Sequence, residues 1–227
     1  MTLFFSRLVW VVVIVWSIAA NATSSEFDLP KTVNLDDRFI FYSHGYIVEG
    51  DDPRPVHPEW GQYDYPGILS ALSKLDAVII STHRPAKSDP FMHAEAISRQ
   101  VEYLLEQGVF PNKITIMGFS RGGFITAIAS SLIKHPDINY IILAACTRAL
   151  SSNTDVRLTG HVLSIFETSD AVGSCDKVVA RAPQLVSSFI EISISTGLSH
   201  GAFYRPDNPW LAPVESWLAA RTKIDDK

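Results

Sequence analysis

The 227-residue chain has a net charge of −5, with 47% hydrophobic and 19% charged residues. That is an ordinary globular balance in a chain long enough to bury a sizeable core. No basic stripe suits nucleic acid and no acidic run marks a disordered tail, so neither class of protein is indicated.

The N-terminus carries Arg7, an apolar run over residues 8–20 and then Ala20-Asn21-Ala22. A basic start, an apolar middle and an Ala-x-Ala site make a secretory signal peptide over residues 1–22, cut after Ala22. The run is shorter than the roughly 20 residues a membrane span needs, so a cleaved leader is expected, and an uncleaved anchor is the alternative. The mature chain, 23–227, is then a secreted or periplasmic single domain with no stable membrane span.

After a polar arm over residues 23–37, short runs rich in Ile, Val and Phe fall at 38–42, 77–81, 114–117, 139–143, 162–166 and 189–194. They are continuous rather than alternating, as in strands buried on both faces of a parallel sheet. Helical stripes lie between them. Ile68, Leu69, Leu72 and Leu75 follow Pro66, and Ile97, Val101, Leu104 and Leu105 precede Gly108. Residues 124–134 form a further helical run, and Leu211, Val214, Trp217 and Leu218 mark a terminal helix. The alternation predicts an α/β fold: a doubly wound, mostly parallel sheet of about six strands with helices on both faces. The connection over residues 46–65 is the longest loop, with three prolines, Trp60, Tyr63 and Tyr65, and is expected to form a rim over the site.

Between the third strand and its helix stands Gly118-Phe119-Ser120-Arg121-Gly122. Gly-x-Ser-x-Gly between a strand and a helix is the pattern of a nucleophile elbow, in which the serine occupies a sharp turn. Gly118 and Gly122, lacking Cβ, leave room for neighbouring backbone. Ligands of an open parallel sheet bind beyond the carboxyl ends of its strands. At those ends lie Ser43-His44-Gly45-Tyr46, Ser120, then Glu167, Ser169 and Asp170, and finally Ser199-His200-Gly201. A serine hydroxyl needs a base to take its proton, and the imidazole that does so needs a carboxylate to fix its tautomer. Ser120 is read as nucleophile, His200 as base and Asp170 as the orienting acid. Glu167 is the second candidate acid and Asp176 the third. Among the other histidines, His44 is expected to shape the loop after the first strand, His83 to reach the rim, and His161 to precede its strand at the opposite edge.

This order of groups resembles the α/β-hydrolase fold family from about Arg38 to Arg221. There, a His-Gly pair after an early strand often precedes an oxyanion-hole residue, and His44-Gly45-Tyr46 fits that pattern. The resemblance implies oxyanion donors in the backbone N–H groups of Tyr46 and Arg121. Residues 23–37 leave little room for the two additional early strands of the largest members, and no insertion is long enough for a helical cap. A compact, capless esterase- or lipase-like enzyme with an open site is expected. Its substrate would be a small-molecule or lipid-like ester. Amide, thioester and acyl-transfer chemistry on the same groups, and a non-catalytic binding module, are the alternatives. The histidines lack zinc-ligand spacing and no glycine loop suits phosphate, so no metal and no cofactor are expected.

Export also bears on Cys146 and Cys175, the two cysteines of the chain. In an oxidising compartment a lone pair tends to bridge. Both follow predicted strands, and neighbouring strands would bring them to one sheet edge; two buried free thiols are the alternative.

Overall fold

The six apolar runs form six parallel strands; the inner ones at Phe39–Ser43, Ile114–Phe119 and Asn139–Leu143 are buried on both faces, whereas the edge strand Val186–Ile194 leaves Ile190 exposed. The computed structural model describes residues 29–30 and 32–222; the leader assigned to residues 1–22 lies outside them. The strands of the main sheet are β1 (Phe39–Ser43), β4 (Val78–Ile80), β5 (Ile114–Phe119), β6 (Asn139–Leu143), β7 (Gly160–Glu167) and β8 (Val186–Ile194). Two short strands, β2 (Val56–His57) and β3 (Gly61–Gln62), pair as a separate antiparallel hairpin. The sheet order is β4-β1-β5-β6-β7-β8, all pairs parallel. The chain steps from β1 outward to β4, then returns past β1 to β5. The order therefore reverses between β1 and β5, which opens a crevice beyond their carboxyl ends.

Successive residues of each strand face opposite layers. Phe39, Phe41, Ile114, Ile116, Tyr140 and Ile142 join one buried cluster. It also holds Ala94, Ile97, Val101 and Leu104 of α2 (Pro90–Glu106) and Ile125 and Ile128 of α3 (Arg121–Ile133). Ile40, Tyr42, Met117, Ile141 and Leu143 point the other way, toward Ile68 and Leu72 of α1 (Tyr65–Leu72) and Trp210, Val214 and Trp217 of α6 (Asn208–Thr222). Asp64 and Asp89 cap the starts of α1 and α2 by accepting from the Gly67 and Phe91 N–H groups, with proline in each first turn.

Several boundaries differ from expectation. α3 begins at Arg121, not Phe124, because Ser120 makes the whole turn by itself, with φ 55° and ψ −116°. Gly122 and Gly123 therefore lie inside the helix. A Cβ on Gly122 would fall 1.8 Å from the Ser43 carbonyl oxygen, so close packing on β1 outweighs glycine's poor helix propensity. β7 starts at Gly160 and includes His161, whose Nδ1 lies 2.7 Å from Ser188 Oγ on β8. Leu75 falls in a 3₁₀ turn beyond α1 rather than in the helix itself.

Cys146 and Cys175 are joined by a disulfide, their Cα atoms 5.1 Å apart. The bridge ties the segment after β6 to α5 (Asp176–Val179), close to the short helix α4 (Arg148–Ser152).

Candidate active site

The Ser120 position is set by backbone. Ser120 donates its N–H to the Leu143 carbonyl at the end of β6 (2.9 Å) and accepts from Phe124 N–H (2.9 Å). Both bonds clamp a left-handed φ that a side-chain-bearing residue rarely adopts.

His200 lies in a 3₁₀ turn, Ser199–Phe203, after β8. Its Nε2 is 2.8 Å from Ser120 Oγ and its Nδ1 is 2.5 Å from Asp170 Oδ2. The His200 and Asp170 side chains are 13% and 5% exposed, so this chain of bonds is largely shielded from water. With the carboxylate accepting from Nδ1–H, Nε2 is left free to accept the serine proton.

Glu167 is turned elsewhere. Its Oε1 accepts from the Thr196 and Gly197 N–H groups (2.8 and 3.0 Å), and its Oε2 accepts from Ser169 N–H (2.6 Å). Burial pushes its carboxyl up, but bonds from the Ser169 hydroxyl and these amides outweigh that and hold it down at about 2. It fastens the β7 and β8 loops that carry Asp170 and His200. Asp176 is exposed at the start of α5 and stands apart from this group.

His44 is fully buried beside the elbow. Its Nε2 accepts from Arg84 N–H at 2.9 Å, which leaves the proton on Nδ1, donated to the Gly45 carbonyl at 2.8 Å. Burial, then the Arg84 guanidinium, pushes its pKa down to about 2, so the ring is neutral. Gly45 approaches Ser120 closely: a Cβ there would meet the Phe119 ring at 3.0 Å and Ser120 Cβ at 3.7 Å. Tyr46, the next residue, starts a 3₁₀ turn and is exposed. His83, expected to reach the rim, donates from Nε2 to the Val48 carbonyl of the 46–65 connection (2.7 Å).

Ser120 and His200 open into a cavity of about 540 Å³, walled by Tyr46, His57, Trp60, Phe119 and Tyr204, with Lys87 on its border. The connection over 46–65 thus forms a rim. The β2–β3 hairpin brings His57 flat onto Trp60 (ring centroids 4.0 Å apart), and Trp60 in turn lies 5.4 Å from the His200 ring. The sequence of the 46–65 loop predicts no hairpin, because two-residue strands leave too short a pattern to detect. Among the described residues, no group of three or more His, Cys, Asp or Glu is arranged to hold a metal ion. No helix among them is long and apolar enough to cross a membrane.

No family model and no curated protein matches the chain. Solved structures do. An esterase/lipase from an uncultured bacterium superposes with a TM-score of 0.59 at 14% identity, over 82% of this chain and 77% of that one. The chain has the α/β-hydrolase fold. A truncated carbohydrate esterase from gut microbiota gives 0.56 at 13% identity, over 86% and 89% of the two chains. Est1E from Butyrivibrio proteoclasticus with ferulic acid bound gives 0.54 at 13%, over 87% and 92%. At such identities the likeness is one of fold. Within the α/β-hydrolase fold, this chain carries a serine turn at the crevice between β1 and β5, with an acid and a histidine from the β7 and β8 loops beside it.

Proposed function

We propose that the protein is a serine hydrolase acting on carboxylic esters. The observation that carries this reading is the unbroken sequence of bonds from Asp170 through His200 to Ser120 at the floor of a cavity. Ser120 Oγ attacks the ester carbonyl carbon while His200 Nε2 takes its proton. Asp170 holds the imidazolium that results. The carbonyl oxygen becomes an oxyanion received by the N–H groups of Tyr46 and Arg121, the latter at the start of α3, where the helix dipole adds a favourable field. Collapse expels the alcohol, which leaves with the proton from His200. Water then attacks the acyl-enzyme by the same path, His200 again taking the proton, and the carboxylic acid departs.

The substrate class is small-molecule esters. The ring-bearing residues around the cavity suit a flat or apolar acyl group. The esterase structures of the same fold, and the ferulic acid held by Est1E, support that reading. We also propose that the protein is exported and begins at Thr23 after loss of residues 1–22, which N-terminal sequencing of the exported form would establish.

A fluorophosphonate probe tests the reaction. Stoichiometric labelling of Ser120, lost in Ser120→Ala, together with turnover of p-nitrophenyl acetate by the parent alone, is the expected result. A folded parent that takes no label and turns over no ester would overturn the reading in favour of a binding module.

A further inference from the structure

One carboxylate ties together the loops behind the serine turn. Glu49 follows the Tyr46–Val48 turn, and its side chain is 1% exposed. Its Oε1 is 3.0 Å from Arg121 Nε and 3.5 Å from Arg84 Nε, and it accepts from the Ser88 hydroxyl at 3.1 Å. Arg84 is fully buried, donates from its guanidinium to the His44 carbonyl, and its own carbonyl accepts from Gly50 N–H at 3.0 Å. Arg121 donates to the Ser88 carbonyl at 2.6 Å, and its guanidinium lies over the Tyr46 ring, 5.2 Å from the centroid.

Three segments thus meet at Glu49: the loop after β1 that contains Tyr46, the loop after β4 that contains Arg84 and Ser88, and the first residue of α3. Two of them carry the backbone N–H groups assigned above to the oxyanion. A buried carboxylate beside two guanidinium groups also leaves a local surplus of one positive charge among the segments that carry those N–H groups. Neither effect requires Glu49 to touch substrate.

We propose that Glu49 is a positioning residue for oxyanion stabilisation, acting through Arg121 and Arg84 to hold the Tyr46 and Arg121 amides aimed at one point. The proposal rests on the serine-esterase reading. A carboxylate serving only as core structure would affect how much protein folds, not how well each folded molecule stabilises a tetrahedral oxyanion.

The test uses Glu49→Gln and Arg121→Met in the purified protein, with active sites counted by fluorophosphonate titration. Turnover of p-nitrophenyl acetate per titrated site is measured beside the affinity for an aryl trifluoromethyl ketone, which forms a tetrahedral adduct bearing the oxyanion. We expect kcat to fall about 10- to 100-fold with KM changed less than about threefold, because the lost interaction exists mainly in the transition state. Trifluoromethyl ketone affinity should fall by the same factor as kcat/KM. Arg121→Lys, which keeps the charge, should recover part of both. Should Glu49→Gln fail to fold, Arg121→Met carries the test, since the Arg121 side chain is 30% exposed. Variants that keep parental kcat per titrated site and parental ketone affinity overturn the proposal alone. A parent that neither labels nor turns over overturns the esterase reading, and this proposal with it.

Discussion

Gly201 lies flat against Trp60: a β-carbon on Gly201 would fall 2.6 Å from Trp60 Cβ and 3.0 Å from its Cγ. The rim hairpin is thereby seated on the backbone next to His200. Gly201→Ala must move either the indole or the imidazole turn. The expected result is a fall in kcat of about 10- to 100-fold, since small misplacements of a reacting group are costly. Gly173→Ala is the control. Nothing lies within 4 Å of its added carbon, and stability should stay within about 0.5 kcal/mol. Ester turnover and thermal melting of both variants decide the matter.

The two acids after β7 should separate cleanly. Asp170→Asn removes the carboxylate facing His200 and should lower kcat by about 10²- to 10⁴-fold with little change in melting temperature. Glu167→Gln breaks charge-assisted bonds to the β8 loop. It should cost about 1–3 kcal/mol of stability while kcat per folded molecule falls far less. Equal effects of the two substitutions on kcat would refute the assignment of Asp170.

Acid should weaken the fold beginning near pH 6.5. His44 and His93 are pushed down by burial to about 2 and about 3, against an ordinary value of 6.5. Below pH 6.5 the unfolded chain takes up protons that the folded chain refuses, so stability is fully present above 6.5 and declines as pH falls. The slope is about 1.4 kcal/mol per pH unit for each histidine. Glu167, held at about 2 against 4.5, adds a second loss of the same sign between those two values. Urea midpoints measured from pH 7.5 to 5 should show the first decline, and His44→Gln should roughly halve its slope. A flat profile would show that these histidines bind protons in the folded state.

Removing the bridge between Cys146 and Cys175 frees a loop whose ends are 29 residues apart. The paired Cys→Ser variant should be less stable by about 3–4 kcal/mol. Reductant should lower the urea midpoint of the parent by a matching amount and leave the variant unchanged. An identical midpoint in both would mean that the unfolded chain is not loosened by reduction.

The inner strands were legible because burial on both faces demands unbroken apolar runs, as in the run ending in Leu143; the run ending in Ile194 is an edge strand that leaves Ile190 exposed. The serine turn was legible because a Cβ on Gly118 or Gly122 would fall 2.3 or 1.8 Å from neighbouring backbone, so both positions call for glycine. Choosing between Glu167 and Asp170 depends on side-chain direction. Glu167 is the last strand residue and faces the amides of Thr196 and Gly197, whereas the turn after it swings Asp170 to His200. Two acids three positions apart carry no sequence signal of that difference. The meeting of Glu49, Arg84 and Arg121 was equally hidden, because it joins three loops with no shared periodicity.

Ser120 and His200 stand 80 positions apart, and the chain between them must build β6, β7 and β8 before the two can touch. A serine without that imidazole is a poor nucleophile. On the proposed mechanism, a chain emerging from the ribosome is thus chemically inert toward esters around it. Reactivity arrives with the last strand and turn, so the rate at which esterase activity appears during refolding would time the final docking step of the domain.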